Sequence, residues 1–153
     1  MNFKNFGKLD FKKFHPSGNL ATKLKTVEDL MIKGNKIPFI DENSNMKNAL
    51  KILSQKNLGV LIVRNKKKRT TGVITDGDLK RAIAKNTEIK NINLKKIMSK
   101  NPISINQNEL AVEALSLMTS KKKITSLCVY KNKNKNKTVG LIHIHNILNA
   151  NIS

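Results

Sequence analysis

Two stretches of the chain carry apolar residues at the spacing of one face of an α-helix. The first has them at i, i+3, i+4 and i+7, at Met46, Ala49, Leu50 and Leu53. The second has a comparable stripe, at Leu110, Ala111, Ala114, Leu115 and Met118. Because residues three and four positions apart share a helix face, each stretch predicts an amphipathic helix packed on a core. The predicted N-caps are Ser44 and Asn108, whose side-chain oxygens can accept backbone N–H groups.

Extended segments surround each predicted helix. A segment containing a proline precedes it, at residues 37–40 in the first copy and 101–105 in the second. Two apolar strands follow, and the second strand of each pair opens on a glycine: residues 58–63 and 72–75, then 124–130 and 140–143. A short helix closes each copy, at residues 78–84 and at about 146–150. The pattern therefore predicts the order β-α-β-β-α, repeated once.

The repetition determines the expected architecture. Each copy begins near an apolar–methionine pair, Leu30-Met31 and Ile97-Met98. One copy could not cover both faces of its small sheet, whereas two copies packed face to face can. We therefore expect an α/β (α+β) fold of tandem repeats related by pseudo-two-fold symmetry, with the first repeat at residues 25–86 and the second at 87–153.

The charge of the chain changes what such a fold is expected to bind. The formal net charge is +20 over 153 residues, which is typical of proteins that bind nucleic acid or anionic membranes. Nearly all of it is lysine, since Arg64, Arg69 and Arg81 are the only arginines. Specific readers of nucleic acid rely on the bidentate guanidinium group. The composition therefore favours weak polyanion attraction over a specific nucleic-acid role. The lysine-rich strand connections, residues 66–69 and 131–137, are interpreted as solvated hairpin tips, with a polyanion contact as the alternative.

Other classes of protein are excluded by what the sequence lacks. Cys128 is the one cysteine and stands in an apolar run, which predicts a small buried hydrophobe and a reducing compartment. No apolar run approaches the roughly 18 residues of a membrane span, and no signal-peptide pattern is present. We expect a cytoplasmic protein without membrane association. No paired-cysteine spacing, phosphate-binding loop or nucleophile motif occurs, so neither a cofactor nor a resident metal is expected.

The end of the first copy resembles a known family. The run Gly72-Val73-Ile74-Thr75-Asp76-Gly77-Asp78-Leu79 resembles the closing motif of a cystathionine-β-synthase-type (CBS) domain. That motif is a glycine, two apolar residues, a serine or threonine, two variable residues and an aspartate. The resemblance implies a pair of CBS domains, or Bateman module, with a ligand cleft between the repeats.

A more specific resemblance extends from about residue 11 to residue 150. Residues 75–81, 111–115, 124–126 and 140–145 are similar to the CBS pair of bacterial arabinose-5-phosphate isomerases. Residues 14–20 resemble the end of the sugar-isomerase domain in that family, where the histidine matched by His15 belongs to the active site. The resemblance implies that residues 1–24 are a remnant of that domain and a linker.

The resemblance also implies a pathway and a limit on activity. The family interconverts ribulose 5-phosphate and arabinose 5-phosphate, which supplies the lipopolysaccharide sugar Kdo. The catalytic domain that precedes the CBS pair is absent from this sequence, so we do not expect the chain to be active alone. Ser17 and Ala21 stand where the family has glycines, and Asn146 stands where the closing motif has aspartate. The two halves of the cleft are therefore not expected to bind alike, because asparagine cannot make the charge-assisted bond.

Thr75 and Asp78 are the candidate ligand residues of the first repeat. They stand at a strand end and a helix start, where a hydroxyl and a carboxylate could hold the hydroxyl groups of a ribose while the helix N-terminus faces phosphate. The alternative is that both residues only cap the helix. The two roles are compatible.

Thr125, Ser126, His143, His145 and Asn146 form the corresponding set in the second repeat. If His143 and His145 both lie in a strand, their side chains point to the same side. A polar lining for a nucleotide sugar is favoured over a metal site, because no third ligand is evident. Partly exposed histidines without a ligand are the remaining alternative.

Three functions fit these observations. The first is a regulatory CBS pair that senses a nucleotide or a nucleotide sugar similar to CMP-Kdo, between its repeats. The second is an architectural module that forms a homodimer through the CBS pairs and holds a tetrameric enzyme together. The third is non-specific polyanion binding through the lysine-rich surface.

Overall fold

The computed structural model describes residues 24–86, 88–120 and 124–151. Within these ranges the helices are α1 (Val27–Leu30), α2 (Met46–Lys56), α3 (Asp76–Lys85), α4 (Leu94–Ile97), α5 (Ala111–Ser120) and α6 (Ile144–Leu148). The strands are β1 (Phe39–Asp41), β2 (Val60–Arg64), β3 (Thr70–Thr75), β4 (Ser99–Lys100), β5 (Ser104–Asn106), β6 (Ser126–Tyr130) and β7 (Gly140–His143). Single 3-10 turns occur at Gly34–Lys36 and Ile89–Asn91.

The strands form two small sheets of matching topology. In the first sheet β1 pairs with β2 in parallel, and β2, β3 and β4 continue antiparallel. In the second sheet β5 pairs with β6 in parallel, and β6 pairs with β7 antiparallel. The helix between the first two strands provides the crossover that a parallel pair requires. The predicted α+β class and the repeated β-α-β-β-α order are confirmed.

The two sheets pack against each other, which explains why β2 is apolar at consecutive positions. Leu61 and Val63 belong to the core beneath the helices of the first unit. The alternate residues, Val60 and Ile62, belong to a separate cluster that includes Cys128 of the second sheet. Successive side chains of a strand point to opposite faces, so a strand covered on both faces must be apolar throughout.

Each repeat contributes its leading segment to the other unit. The side chain of Val27 in α1 is fully buried in the core of the second unit, and its N–H donates to the carbonyl oxygen of Glu109 (2.8 Å). In return, Leu94 of α4 is buried in the core of the first unit, and β4 extends the first sheet beside β3. The repeats in sequence and the units in space are therefore not the same sets of residues.

Two glycines, Gly72 within β3 and Gly140 at the start of β7, make this exchange possible. A Cβ atom at Gly72 would lie 2.7 Å from the carbonyl oxygen of Ser99 and 2.9 Å from the sulfur of Met98. A Cβ at Gly140 would meet the side chain of Met31 and would lie 3.0 Å from the carbonyl oxygen of Ile32. The methionine of each apolar–methionine pair therefore packs against a glycine of the opposite repeat, Met98 against Gly72 and Met31 against Gly140.

Several predicted element starts are wrong by one to three residues. The N-cap of α2 is Asn45, whose Oδ1 accepts from the N–H of Asn48 (2.9 Å), and not Ser44. Helix α5 begins at Ala111, so Asn108 precedes the cap position and bonds to Asn106 within the preceding turn. The closing helices begin at 76 and 144 rather than at 78 and 146, because the residue that ends each strand is itself the helix cap.

Candidate ligand-binding cleft

A cleft of about 370 Å³ lies between the two units. Its apolar wall comes from both sheets and includes Val60, Val73 and Leu141. The rest of the lining comes from residues 99–103, which connect β4 to β5, and from residues 124–126 at the start of β6. The volume and the mixture of apolar wall and polar groups are typical of sites for small molecules.

Three predicted site residues, Thr75, Thr125 and Ser126, line this cleft together. Thr75 ends β3 of the first repeat, whereas Thr125 and Ser126 begin β6 of the second. Hydroxyl groups both donate and accept hydrogen bonds. The cleft therefore presents hydroxyls from both repeats beside an apolar surface, an arrangement that suits a flat ring carrying a polar substituent.

Asp78 lies one helical turn from Thr75 and does not itself line the cleft. The N–H of Thr75 donates to Oδ2 of Asp78 (2.9 Å), and the N–H of Asp78 donates to Oγ1 of Thr75 (3.1 Å). This reciprocal pair is a capping box, so the capping role proposed as an alternative is present. Arg81 donates to Oδ1 of Asp78 (2.7 Å). A carboxylate oxygen accepts more than one bond, which leaves capacity for a ligand hydroxyl.

His143, His145 and Asn146 do not line this cleft. The N–H of His143 donates to Oδ1 of Asn146 (2.8 Å), and the N–H of His145 donates to Nδ1 of His143 (3.1 Å). His143 and Asn146 thus repeat the capping box of Thr75 and Asp78. His145 lies in α6 rather than in a strand, so the prediction of a shared strand face is wrong. The two imidazole rings nevertheless stack, with centroids 4.9 Å apart.

The ionisation of His143 is shifted by these surroundings. Partial burial lowers the pKa of His143 below its ordinary value, and the nearby charge of His145 lowers it further. Since Nδ1 accepts a backbone hydrogen bond, the neutral ring carries its proton on Nε2.

The position related to the cleft by the pseudo-two-fold axis is built differently. Strand pairing matches Val60 with Thr75 in the first sheet and Ser126 with His143 in the second. Val60 therefore occupies the position of Ser126, and Gly59 that of Thr125, so both hydroxyls are missing there. A cavity of about 410 Å³ next to this position is lined by Ile32, Asn35, Lys36, Gln55, Lys56 and Leu58, without Gly59, Val60 or His143.

An additional loop borders this second position. Seven residue steps separate Met31 from Pro38, whereas four separate Met98 from Pro102. The longer connection folds into the 3-10 turn Gly34–Lys36, and Nζ of Lys56 donates to the carbonyl oxygen of Asn35. The spacing between methionine and proline is a sequence signal that could have revealed this difference between the repeats.

Residues 99–103 also form part of the cleft wall, although the sequence did not predict them as site residues. Asn101 has a φ of 56°, in the left-handed region that asparagine tolerates better than most residues. It follows β4 directly and turns the chain from the first sheet toward the second. The motif Asn101-Pro102 carries this turn signal, but its position beside the cleft depends on the exchanged segments.

Cys128 lines the cleft, and its thiol is unreactive. It is 4 % exposed, in agreement with the predicted small buried hydrophobe. Burial raises the pKa of its thiol to about 11, although a hydrogen bond with Thr138 opposes the shift. The thiol is therefore protonated at neutral pH and does not act as a nucleophile.

Two further observations concern the parts of the chain that the structure describes. In those parts no three His, Cys, Asp or Glu side chains are grouped closely enough to hold a metal ion. No helix there is long and apolar enough to cross a membrane. His15, predicted from the family resemblance, lies outside the described residues.

Comparison with known sequences gives a consistent result. The sequence model of the CBS domain matches residues 27–85 and again residues 94–153. An uncharacterized protein of Rickettsia prowazekii is 35% identical over 98% of this chain, and the arabinose 5-phosphate isomerase KdsD of Yersinia pestis is 32% identical over 97%. The chain spans 45% and 44% of these relatives, less than half of each.

Solved structures show the same fold. CBSX2 in complex with AMP superposes with a TM-score of 0.67 at 22% identity, covering 83% of this chain and 96% of that one. The CBS domain pair of protein MJ0100, in complex with 5′-methylthioadenosine and S-adenosyl-L-methionine, superposes with a TM-score of 0.70 at 24% identity, covering 82% and 94%.

Proposed function

The chain belongs to the CBS-domain family, and from that premise we propose that it is a regulatory module that binds a nucleotide or nucleotide sugar between its repeats. The observation that carries the proposal is the cleft lined by Thr75, Thr125 and Ser126, which brings hydroxyls of both repeats to one apolar surface. An aliphatic wall can pack against a base, and the hydroxyls can bond to a sugar or a phosphate.

The likeness to CBS structures named for AMP and for S-adenosyl-L-methionine supports a nucleoside-containing ligand. The similarity to arabinose 5-phosphate isomerases narrows the proposal to a cytidine nucleotide sugar such as CMP-Kdo, the product of the pathway that such enzymes feed. We assign Thr75, Asp78, Thr125 and Ser126 to this ligand. His143, His145 and Asn146 would contact a ligand only at the second position, which lacks both hydroxyls and which we expect to bind more weakly.

Binding would regulate through the arrangement of the repeats. Because the cleft is walled by both units, a ligand stabilises the arrangement in which both walls are in contact with it. A catalytic domain attached to the pair would respond if its active form prefers a different arrangement. We propose that such a domain is an arabinose-5-phosphate isomerase, to which His15 would belong, and that the regulation is feedback within the cytoplasm.

Thermal unfolding against a panel of ligands tests the proposal. The panel is CMP, CMP-Kdo, AMP, ATP and arabinose 5-phosphate at moderate salt. A ligand at about 100 times its dissociation constant adds about 2.7 kcal/mol to the free energy of unfolding, which raises the Tm of a domain of this size by roughly 5 to 10 °C. A shift confined to cytidine compounds supports the proposal. An adenine-specific shift contradicts the pathway, and no shift with any compound contradicts ligand binding.

A matched pair of variants separates binding from capping. Asp78→Ala and Asn146→Ala each remove the same capping position, one in each repeat. We expect each to lower the free energy of unfolding by about 1 kcal/mol. Only Asp78→Ala is expected to weaken ligand binding, with an increase in Kd of tenfold or more. If both variants bind the ligand with equal affinity, Asp78 does not contact it.

A homodimer through the helical faces is a second candidate role. Leu148 in α6 is 45% exposed although it is large and apolar, and α6 packs beside α5 on the outer face of the second unit. Burial of such a residue against a second copy would hold a larger enzyme together. Sedimentation equilibrium at high concentration tests this role, and a monomer that does not associate contradicts it.

A further inference from the structure

The two lysine-rich hairpin tips, one from each repeat, lie side by side. The N–H of Thr70 donates to the carbonyl oxygen of Asn136 (2.8 Å), and the hydroxyls of Thr70 and Thr138 are 2.6 Å apart. Residues 66–69 immediately precede Thr70, and Asn136 stands within the alternating lysines of residues 131–137. These two runs therefore form one surface, here called the basic ridge. It is not visible in the sequence, where the runs are far apart.

The basic ridge is exposed and held in place by hydrogen bonds. Every residue of 66–69 and 131–137 is exposed. In the first tip, Oδ1 of Asn65 accepts from the N–H groups of Lys67 (2.9 Å) and Arg69 (3.0 Å). In the second, Nδ2 of Asn106 donates to the carbonyl oxygen of Asn132 (2.9 Å). The backbone beneath the cationic side chains is thus fixed before any partner binds.

Among the described residues, no ion pair joins an acidic side chain to residues 66–69 or 131–137. Asp41 does lie beside the first tip, where it pairs in strand register with Arg64 between β1 and β2 and lines a cavity with Lys66 and Lys68. The sequence contains no aspartate or glutamate between positions 43 and 75 or from 114 to 153. The ion pairs in the part of the chain that the structure describes are Lys80–Asp76, Arg81–Asp78 and Lys90–Glu88, all outside the ridge. Like charges closer than a screening length of about 8 Å repel each other at physiological salt. A cluster of this kind is stabilised when a polyanion replaces its loosely held counterions.

We infer that the basic ridge binds the phosphodiester backbone of nucleic acid without sequence preference. Neither tip contains an apolar or aromatic residue. Entry into a bilayer interface requires apolar side chains, and protein interfaces are depleted in lysine and enriched in aromatic residues. Lysine ammonium groups act as point charges toward phosphates, whereas base readout favours arginine. The chemistry of the ridge therefore matches a regular row of phosphates.

Fluorescence anisotropy with a labelled mixed-sequence duplex of about 20 base pairs tests the inference between about 50 and 200 mM salt. The ridge variant replaces Lys131, Lys133, Lys135 and Lys137 with glutamine. The control variant makes the same change in charge away from the ridge, at Lys51, Lys85, Lys95 and Lys96. We expect the ridge variant to bind at least tenfold more weakly than the control at about 50 mM salt. Its slope of log affinity against log salt should be lower in magnitude than that of the parent chain by about 3 to 4.

Two outcomes would overturn the inference. Equal losses in the ridge and control variants would show that net charge alone attracts the duplex. Ridge-dependent binding to phosphatidylserine vesicles, without ridge-dependent binding to the duplex, would assign the surface to anionic lipid. Melting curves of both variants establish that they fold. Asp78→Ala should leave the affinity for the duplex unchanged. A failure of the ridge proposal is therefore distinguishable from a failure of the proposed nucleotide site.

Discussion

At the residue scale, the same pair of positions serves both repeats with different chemistry. Thr75 and Asp78 cap α3 with a hydroxyl and a carboxylate, and His143 and Asn146 cap α6 with an imidazole and an amide. A hydroxyl keeps its hydrogen-bonding capacity at all ordinary pH values. An imidazole loses its acceptor when it is protonated, so the second cap depends on the protonation state of His143.

The cap at His143 predicts that stability falls in mild acid. Because the pKa of His143 is lowered in the folded chain, the unfolded chain binds the proton more readily between the two pKa values. Stability is therefore fully present above the unfolded pKa of about 6.5 and is lost as the pH falls through the folded value. Urea unfolding at several pH values between about 7 and 5 measures the effect.

The residue found at the equivalent position of the first repeat provides the control. His143→Thr retains a cap of the kind made by Thr75 but does not titrate, so we expect a smaller loss of stability with acid. His145→Gln removes the neighbouring charge and should reduce the loss only in part. If the parent chain and His143→Thr lose stability in parallel, the acid sensitivity belongs to other groups.

At the element scale, each exchanged segment packs closely against a glycine of the opposite repeat, Gly72 or Gly140. A side chain at Gly72 would collide with the backbone of β4, at the carbonyl oxygen of Ser99, as well as with the side chain of Met98. Gly72→Ala is expected to lower the free energy of unfolding by about 1 to 3 kcal/mol. Gly77→Ala is the matched control, since the shortest contact of a Cβ there is with the flexible end of Arg81 at 3.3 Å, and Oγ1 of Thr75 lies at an ordinary 3.7 Å. Denaturant unfolding of both variants measures the difference, and equal stabilities would show that β4 can shift without cost.

Element types were predictable because the local patterns were strong. The spacing of Met46, Ala49 and Leu53 predicts one face of a helix, whatever that helix packs against. The continuous apolar run at β2 predicts a strand that is covered on both faces. Element starts were less predictable: Thr75 and His143 end a strand and cap a helix at once, and apolar periodicity does not mark that change. Of the site, Thr75, Thr125 and Ser126 were named in the sequence, but in two separate sets, one for each repeat. The cleft combines members of both sets and leaves His143, His145 and Asn146 outside its lining. Residues 99–103 were missed because their position depends on the exchange of segments, which is a tertiary feature.

At the scale of the whole molecule, the exchange makes each unit depend on both repeats. A fragment of residues 25–86 follows the repeat in sequence but lacks Leu94 and β4. A fragment of residues 33–100 contains every strand and helix of the first unit. We expect the second fragment to retain more ordered structure than the first, measured by circular dichroism and amide exchange. If the fragment 25–86 unfolds cooperatively and the fragment 33–100 does not, the spatial definition of the units is contradicted.

The basic ridge also belongs to this scale, because neither repeat forms it alone. Thr70 and Asn136 join the two hairpin tips only when the sheets are packed face to face. A ligand that changes the angle between the sheets would therefore also change the spacing of the cations.

The exchanged segments impose an order on biosynthesis. A ribosome releases α1 and Ile32 before the residues that they bond to, Glu109 and Leu141. The first unit can close as soon as β4 has emerged, because all its strands then exist. Until Glu109 and Leu141 have emerged, Val27 and its neighbours lack these native partners. We therefore expect a nascent chain released to about residue 100 to resist protease in its first sheet while α1 remains open to cleavage.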